Sequence, residues 1–377
     1  MTRRYVVPGR VELVGKHVDY AGGRSLTCAT EQAIHARVDV LAEPLLRVRD
    51  AARREFVEAP LAPDARGTGP AWGKYAVAVT RRFSRDFPRA RRGAEVVLES
   101  LVPASAGLSS SSALVVALAL ALFDANEMEG DPEWREHVPT DIARAEYVAA
   151  IETGAPFGPF AGDEGVGVRG GAQDQVAILC AREGMVGQFS YLPPRRERYV
   201  PWPGDHILAI GVSGVHASKA GNARNAYNRL SDAMREFGRS GLPASPSPAL
   251  GERVAQFREE TEVIVPGVAD ALRDRDFRLL GALVDRSQAL AEQVLENQVR
   301  ETVSLARMAR EWGAVAASAF GAGFGGAVWA MVARDDADRF LAAWRAGYER
   351  AFPSRVARAK WLLTMPAGPA YRTDADA

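Results

Sequence analysis

Cysteine is nearly absent: the 377 residues hold two, Cys28 and Cys180, in the apolar settings SLTCAT and AILCA. Two isolated cysteines make neither a zinc knuckle nor a disulfide framework, so a reducing compartment is expected. Both thiols read as small buried hydrophobes rather than reactive groups. A surplus of one charge is missing as well. Lys+Arg and Asp+Glu both number 47, which gives no global reason to expect nucleic acid or an anionic membrane as partner. Long hydrophobic runs are lacking too. The longest, ALVVALALALF from Ala113 to Phe123, is far shorter than the ~20 residues that a membrane span needs. The start, MTRRYVVPGR, has basic residues but no apolar stretch of the kind a signal peptide carries. These absences predict a cytoplasmic protein. There is no internal repeat and no low-complexity tract, and arginine greatly outnumbers lysine.

What is present suggests two domains or one large body with an attached lobe. The pattern predicts strands over 4–14 and 25–41, the second alternating apolar and polar residues in EQAIHARVDVLAE. A helix is expected around AWGKYAVAVTRRFSRDF, a strand at GAEVVLESLVP, and a buried helix over the long apolar run. PTDIARAEYVAAIETG should be a helix that stops at Gly154. Residues 154–171 hold seven glycines and read as a loop. GMVGQFSYL and HILAIGVS read as strands. Between them PPRRERYVPWPGD reads as a proline-rich hinge, which sets expected domains of 1–200 and 201–377. Helices are then predicted at NARNAYNRLSDAMREFG, in three stretches ending in LARMAREWG, and at DADRFLAAWRAGYERAF.

Four stretches carry chemistry. In PASAGLSSSSALVV, Gly107 can bring its backbone close to a ligand, and serines stand where a helix begins. A helix N-terminus offers free N–H donors and partial positive charge, so it suits phosphate. The alternative is a serine-capped core helix, although one serine would satisfy that. No Gly-Lys-Ser/Thr follows, so this is not a P-loop. GGAQDQVAIL places Asp174 at the head of an apolar run, as a general base or as a helix cap. SAFGAGFGGAVWAMV, with four glycines in the six positions 321–326, is a tight turn or a ligand loop. VPGRVELVGKHVDYAGG sets Arg10, Glu12, Lys16, His17 and Asp19 among glycines, more charge than a strand or a surface loop needs.

Together these stretches resemble the GHMP kinases, and the opening one resembles the signature of their galactokinase branch, whose usual form carries Gly-Glu-His-Thr-Asp-Tyr-Asn-Gly-Gly. PASAGLSSSSAL is similar to the family's ATP motif, GGAQDQ to the segment Cys-Gly-Ile-Met-Asp-Gln, and SAFGAGFGGAV to the third motif. All four occur in family order, from Pro8 to Val328. The resemblance implies an α+β, two-lobed fold with the active site in the cleft between lobes, and an ATP-dependent kinase acting on the anomeric hydroxyl of a sugar. It implies that Gly107, Leu108, Ser109, Ser110 and Ser111 wrap the triphosphate. Ser111 and a glutamate on the helix before Asp174 would hold Mg²⁺; Glu152 fits best and Glu146 is the fallback. Asp174 would be the base or orienting carboxylate, with Arg10 beside it. His17, Asp19, Gly171 and Tyr227 would lie at the sugar.

Two features depart from the family pattern. The segment GPFAGDEGVGVRG is about ten residues longer than the resemblance leads one to expect, and it could serve as a lid or reshape the site. Lys16 stands where galactokinases carry a glutamate that accepts a hydrogen bond from the sugar's C6 hydroxyl. If Lys16 faces the sugar, an ammonium there suits a C6-acidic sugar such as galacturonate or glucuronate. If it turns outward, or pairs with Glu12 or another carboxylate, galactose remains the expected substrate. A sugar-sensing relative without kinase activity is the other class; Asp174, Arg10 and the serine loop argue against it. His17, Asp19 and Tyr20 disfavour another GHMP branch.

Overall fold

The computed structural model describes residues 2–66, 69–104, 106–215 and 247–373, together with Asn228, Ser231, Asp232, Met234, Glu236 and Phe237. Tyr227 and most of the helix expected at 222–238 lie outside the described residues.

Two sheets organise the chain. The first contains β1 (Thr2–Val14), β2 (Arg24–Leu41), β3 (Leu45–Asp50), β4 (Glu55–Pro60), β5 (Gly93–Ser100), β6 (Met185–Ser190), β7 (Arg195–Pro201) and β12 (Tyr371–Thr373). Its main path runs β12-β1-β2-β5-β3-β4, with β6 pairing β2 and β7. The β3–β5 pair is parallel and the others are antiparallel. The second sheet is antiparallel, in the order β11-β8-β10-β9, from β8 (His206–Val212), β9 (Ala316–Phe320), β10 (Ala327–Ala333) and β11 (Lys360–Thr364). Trp329 of β10 donates its indole N–H to the Leu13 carbonyl of β1 at 3.2 Å, so the two sheets touch through a buried hydrogen bond.

The apolar run after the serines becomes α2 (Ser110–Ala125). It is apolar on nearly every side and correspondingly buried, as a helix without a polar face must be. It packs on β1, β2 and β5 and is flanked by α1 (Lys74–Asp86) and α4 (Asp141–Thr153). Thr140 caps α4, and Gly154 ends it in the left-handed region at φ 77°. A short α3 (Pro132–His137) precedes it, and α5 (Gln173–Leu179) follows the glycine-rich loop. Among the described residues the later helices include α6 (Pro248–Arg258), α7 (Val265–Asp274), α8 (Phe277–Gln293), α9 (Arg300–Glu311) and α10 (Ala337–Ala351). A π-helical turn at Glu259–Ile264 joins α6 to α7. Mixed helix and sheet segregated in this way make an α+β fold. Among the described residues no helix is long and apolar enough to cross a membrane. Cys28 and Cys180 are free and buried, and burial pushes both thiols up to about 12.

Two expectations change. The presumed hinge is mostly strand: β7 pairs antiparallel with β6 and is anchored by Arg198, which donates to Asp270 at 2.6 Å. Prolines at the ends of an edge strand cost no ladder bond, so they did not prevent it. The chain leaves the first sheet only after Pro201. The glycine-rich loop is packed, not poised. Phe157 and Phe160 exchange backbone hydrogen bonds at 3.0 and 2.9 Å. Their rings are buried, with centroids 5.1–5.4 Å from Phe87 and Tyr147. Arg81 and Arg85 of α1 donate to the Gly165, Gly162 and Ala161 carbonyls.

Candidate active site

A cavity of about 740 Å³ collects residues from most of the chemistry-bearing stretches. Arg10 and Glu12 reach it from β1. His17 and Asp19 come from the turn after β1, and Gly107 and Ser109 to Ser112 from the start of α2. Glu152 comes from the end of α4, Val168, Gly170 and Gly171 from the loop before α5, Gln173 to Gln175 from the start of α5, and Gly321 and Ala322 from the turn between β9 and β10. Its size is that of a small-molecule site.

Local structure explains the aim of each group. Successive residues of a strand point to opposite faces. Val11 and Leu13 enter the core, so Arg10 and Glu12 share the other face. Irregularities in the β1–β2 register bracket this pair, between Pro8 and Arg10 and between Glu12 and Val14. Such bulges re-aim side chains. Arg10 donates from Nε to Asp174 Oδ1 at 2.8 Å, with Nη2 at 2.8 Å from the same oxygen, and from Nη1 to the Gly107 carbonyl. Asp174 also accepts from the Ser112 hydroxyl at 3.2 Å. It caps nothing: the N-cap position of α5 is Ala172 and makes no side-chain bond.

The serines are not spent on capping either. Ser109 occupies the N-cap of α2 at φ 55° without a side-chain cap bond. Gly107, at φ 81°, lies close to the Phe320 carbonyl and Gly326, so the serine loop and the β9–β10 turn meet backbone to backbone. Leu108 is fully buried behind the loop. Ser111 shares a hydrogen bond with Tyr75, whose hydroxyl is pushed up to about 12 by burial and then by the charge of Glu152. Ser111, Tyr75 and Glu152 all line the cavity. Glu152 is buried and accepts from Gln175 Nε2 at 2.6 Å. Glu146, one helical turn and a half earlier, does not line the cavity.

At the other end, Asp19 accepts from the Gln173 backbone N–H at 3.4 Å, and a Cβ on Gly171 would collide with the Asp19 carboxylate. His17 is buried between the Tyr20 hydroxyl at 3.0 Å and the Ala322 carbonyl at 3.1 Å.

Lys16 goes elsewhere. It is buried, does not line the cavity, and donates from Nζ to Ser287 Oγ of α8 at 2.7 Å. Ser287 in turn donates to Glu260 Oε1 at 2.7 Å, and that oxygen also takes the Gly15 and Lys16 backbone N–H groups. The π-helical turn carries Glu260 to this position. Burial lowers the Lys16 pKa, against the opposing charges of Glu260, Glu12 and Glu292. Lys16 neither turns outward nor bonds a carboxylate directly among the described residues; it reaches Glu260 through the Ser287 hydroxyl. The cation that motivated an acidic sugar is not on the cavity wall.

Glu12, read from the sequence only as a possible partner of Lys16, is a further residue of the site. It lines the cavity, is buried, and accepts from Gln173 Nε2. Burial pushes its carboxyl up to about 7, against the charges of Arg10 and Lys16 and the bond from Gln173. Its signal was an acid two residues from Arg10 on a buried strand. Ser112 and Gln175 lie within the SSSS and GGAQDQ stretches without having been singled out, and Tyr75 carried no comparable local signal.

Three family models match the chain: the GHMP kinase N-terminal domain over residues 74–182, the galactokinase galactose-binding signature over 3–39, and the GHMP kinase C-terminal domain over 268–350. The chain belongs to the GHMP kinases, in the galactokinase family. It is 28% identical to a galactokinase of Chloroflexus aurantiacus over 373 residues, 92% of this chain and 88% of that one. It is also 28% identical to a galactokinase of Streptomyces coelicolor, over 87% of this chain and 84% of the relative. Among solved structures, Lactococcus lactis galactokinase complexed with galactose superposes with a TM-score of 0.81 at 18% identity, covering 98% of this chain and 95% of that one. The mevalonate kinase of L. major gives a TM-score of 0.61 at 17% identity, covering 97% and 96%.

Proposed function

We propose that the chain, a sugar kinase of the galactokinase family, transfers the γ-phosphoryl group of ATP to the anomeric C1 hydroxyl of galactose or a closely related neutral sugar. One observation carries this reading. Asp174, Arg10 and the serine loop are joined by direct hydrogen bonds in a single cavity, through Arg10 to both Asp174 and Gly107 and through Ser112 to Asp174. Phosphoryl transfer needs positioning and charge neutralisation more than covalent catalysis. Asp174 accepts the hydroxyl proton, and Arg10 holds its carboxylate in place while presenting positive charge to the transferring group. The N–H groups and hydroxyls of Gly107 to Ser111 hold phosphate at the start of α2. Asp19 takes sugar hydroxyls, since a carboxylate accepts more than one. Gly171 gives Asp19 its room, and His17 braces the turn on which Asp19 sits.

Mg²⁺ fits Ser111 and Glu152. Both line the cavity and offer only oxygen, the kind of sparse protein contribution that Mg²⁺ takes when phosphates supply other ligands. When bound, the ion neutralises phosphate charge. The neutral-sugar reading rests on where the charges lie: Glu12 and Asp19 line the sugar end, and Lys16 does not. The test is ADP release with Mg²⁺·ATP across hexoses, pentoses, amino sugars and uronic acids, with the product identified by ³¹P NMR. Galactose or another neutral hexose should give a 1-phosphate. Preference for a uronate overturns the neutral-sugar reading. Failure of every sugar to elicit ADP release overturns the kinase reading and favours a sensor.

A further inference from the structure

The sugar end of the cavity holds a carboxylate with half its hydrogen-bonding capacity unused. Glu12 is 3% exposed. One oxygen, Oε2, takes the Gln173 amide, whereas Oε1 has no hydrogen-bond partner among the described residues. Buried carboxylate oxygens are ordinarily supplied with donors. Here the support is electrostatic and comes from behind. Lys16 sits on the far side of the motif, tied to Ser287, and acts on Glu12 through its charge rather than through a bond. Gln173, which holds Oε2, immediately precedes Asp174 in α5. The same short helix thus fixes Glu12 and the proposed base.

We propose that Glu12 is a specificity-determining residue for the sugar: Oε1 accepts a hydrogen bond from one hydroxyl of the substrate, while Gln173 and Lys16 are positioning residues that hold the carboxylate in its orientation and charge. The inference rests on the sugar-kinase reading and deepens it. Ionised, as it is above about pH 7, Glu12 accepts hydrogen bonds and donates none, so at pH 8, where the test is run, it selects a hydroxyl and disfavours an anionic substituent at the same position. A site built to bond a substrate hydroxyl discriminates strongly against the analogue without it, because its own polar group is then left unpaired.

The test uses the full chain with galactose and its 2-, 3-, 4- and 6-deoxy analogues, comparing parent, Glu12→Gln and Glu12→Met. In the parent, one deoxy position should lower kcat/KM by about tenfold or more. In Glu12→Met that particular penalty should shrink towards unity, and in Glu12→Gln, whose amide still bonds a hydroxyl but without the charge, it should shrink several-fold, while the other three stay, with KM for ATP unchanged. Glu12→Gln is isosteric and should melt within a few degrees of the parent, so it carries the test if Glu12→Met does not fold. A purely structural Glu12 would lower turnover of all five sugars in proportion, and that pattern overturns the inference alone, as does a parent indifferent to every deoxy position. A parent that phosphorylates no sugar overturns the proposed function and this inference together.

Discussion

The two ends of the cavity are built in opposite ways. At the serine loop, from Gly107 to Ser112, the polar atoms are backbone N–H groups and short hydroxyls at the head of a fully apolar helix. The loop is placed by packing: α2 buries itself on β1, β2 and β5, and its N-terminus comes with it. At the sugar end, Arg10, Glu12, His17 and Asp19 are each held by a specific polar partner, drawn from α5, the Tyr20 turn or the β9–β10 turn. A site placed by helix burial tolerates the loss of one hydroxyl. A site placed by cross-bonded side chains fails when one member changes.

The largest expected loss tests the bond that joins the two ends. Asp174→Asn keeps the shape and removes the base, so turnover should fall by ~10²–10⁴ while a non-hydrolysable ATP analogue still binds by calorimetry. Turnover within a few-fold of the parent would leave Asp174 as an Arg10 anchor only. Next is Lys16→Glu. It places a new carboxylate beside Glu260, Glu12 and Glu292 in a buried cluster, so it should cost about 3–5 kcal/mol in urea unfolding. A stable variant with altered sugar preference would return Lys16 to the sugar.

Gly171→Ala should raise KM for the sugar by about tenfold, since overpacking of this kind costs ~1–3 kcal/mol, and leave KM for ATP alone. Equal effects on both would erase the distinction between the ends. Ser111→Ala should weaken Mg²⁺·ATP use while changing stability by less than ~1 kcal/mol, because no serine of the loop makes a cap bond at the N-cap position. A collapsed melting temperature with normal kinetics would make the loop structural.

The smallest effect is a pH dependence. Burial holds the Glu12 carboxyl at about 7, above its ordinary 4.5. A carboxyl raised in this way contributes stability that is fully present below pH 4.5 and is lost as pH rises through 7. The melting temperature of Glu12→Gln relative to the parent should therefore climb across that window and level off above it. A flat difference from pH 4 to 8 would mean that Glu12 is not desolvated.

Legibility in the sequence follows the range of the interaction that decides each feature. The serine loop was readable because an all-apolar run after small polar residues can only be a buried helix. Glu152 rather than Glu146 reaches the cavity because it sits at the open end of α4, and the Gly154 stop marks that end. The direction of Lys16 was not readable. Its neighbours Gly15, His17 and Asp19 keep the family motif, but its partners Ser287 and Glu260 lie more than 240 residues away in sequence. No local pattern announces them. The glycines of 154–171 read as a loop and a candidate lid, and what holds it are two phenylalanines seated among Phe87 and Tyr147. Its last residues, Val168, Gly170 and Gly171, still shape the cavity wall.

The β12 strand gives the molecule a mechanical property. Among the described residues the backbone passes from the first sheet to the second after Pro201 and returns after Thr364. The returning segment is stitched to the first sheet: Ala367 donates to the Ala29 carbonyl at 3.0 Å, Gly184 donates to the Pro366 carbonyl at 2.9 Å, and Tyr371 to Thr373 pair with β1. A door hung at one point can swing and twist; hung at two, it turns about the line between them. Any spreading of the two sheets has its easy motion about an axis through these two crossings, and twisting across that axis must first unzip β12.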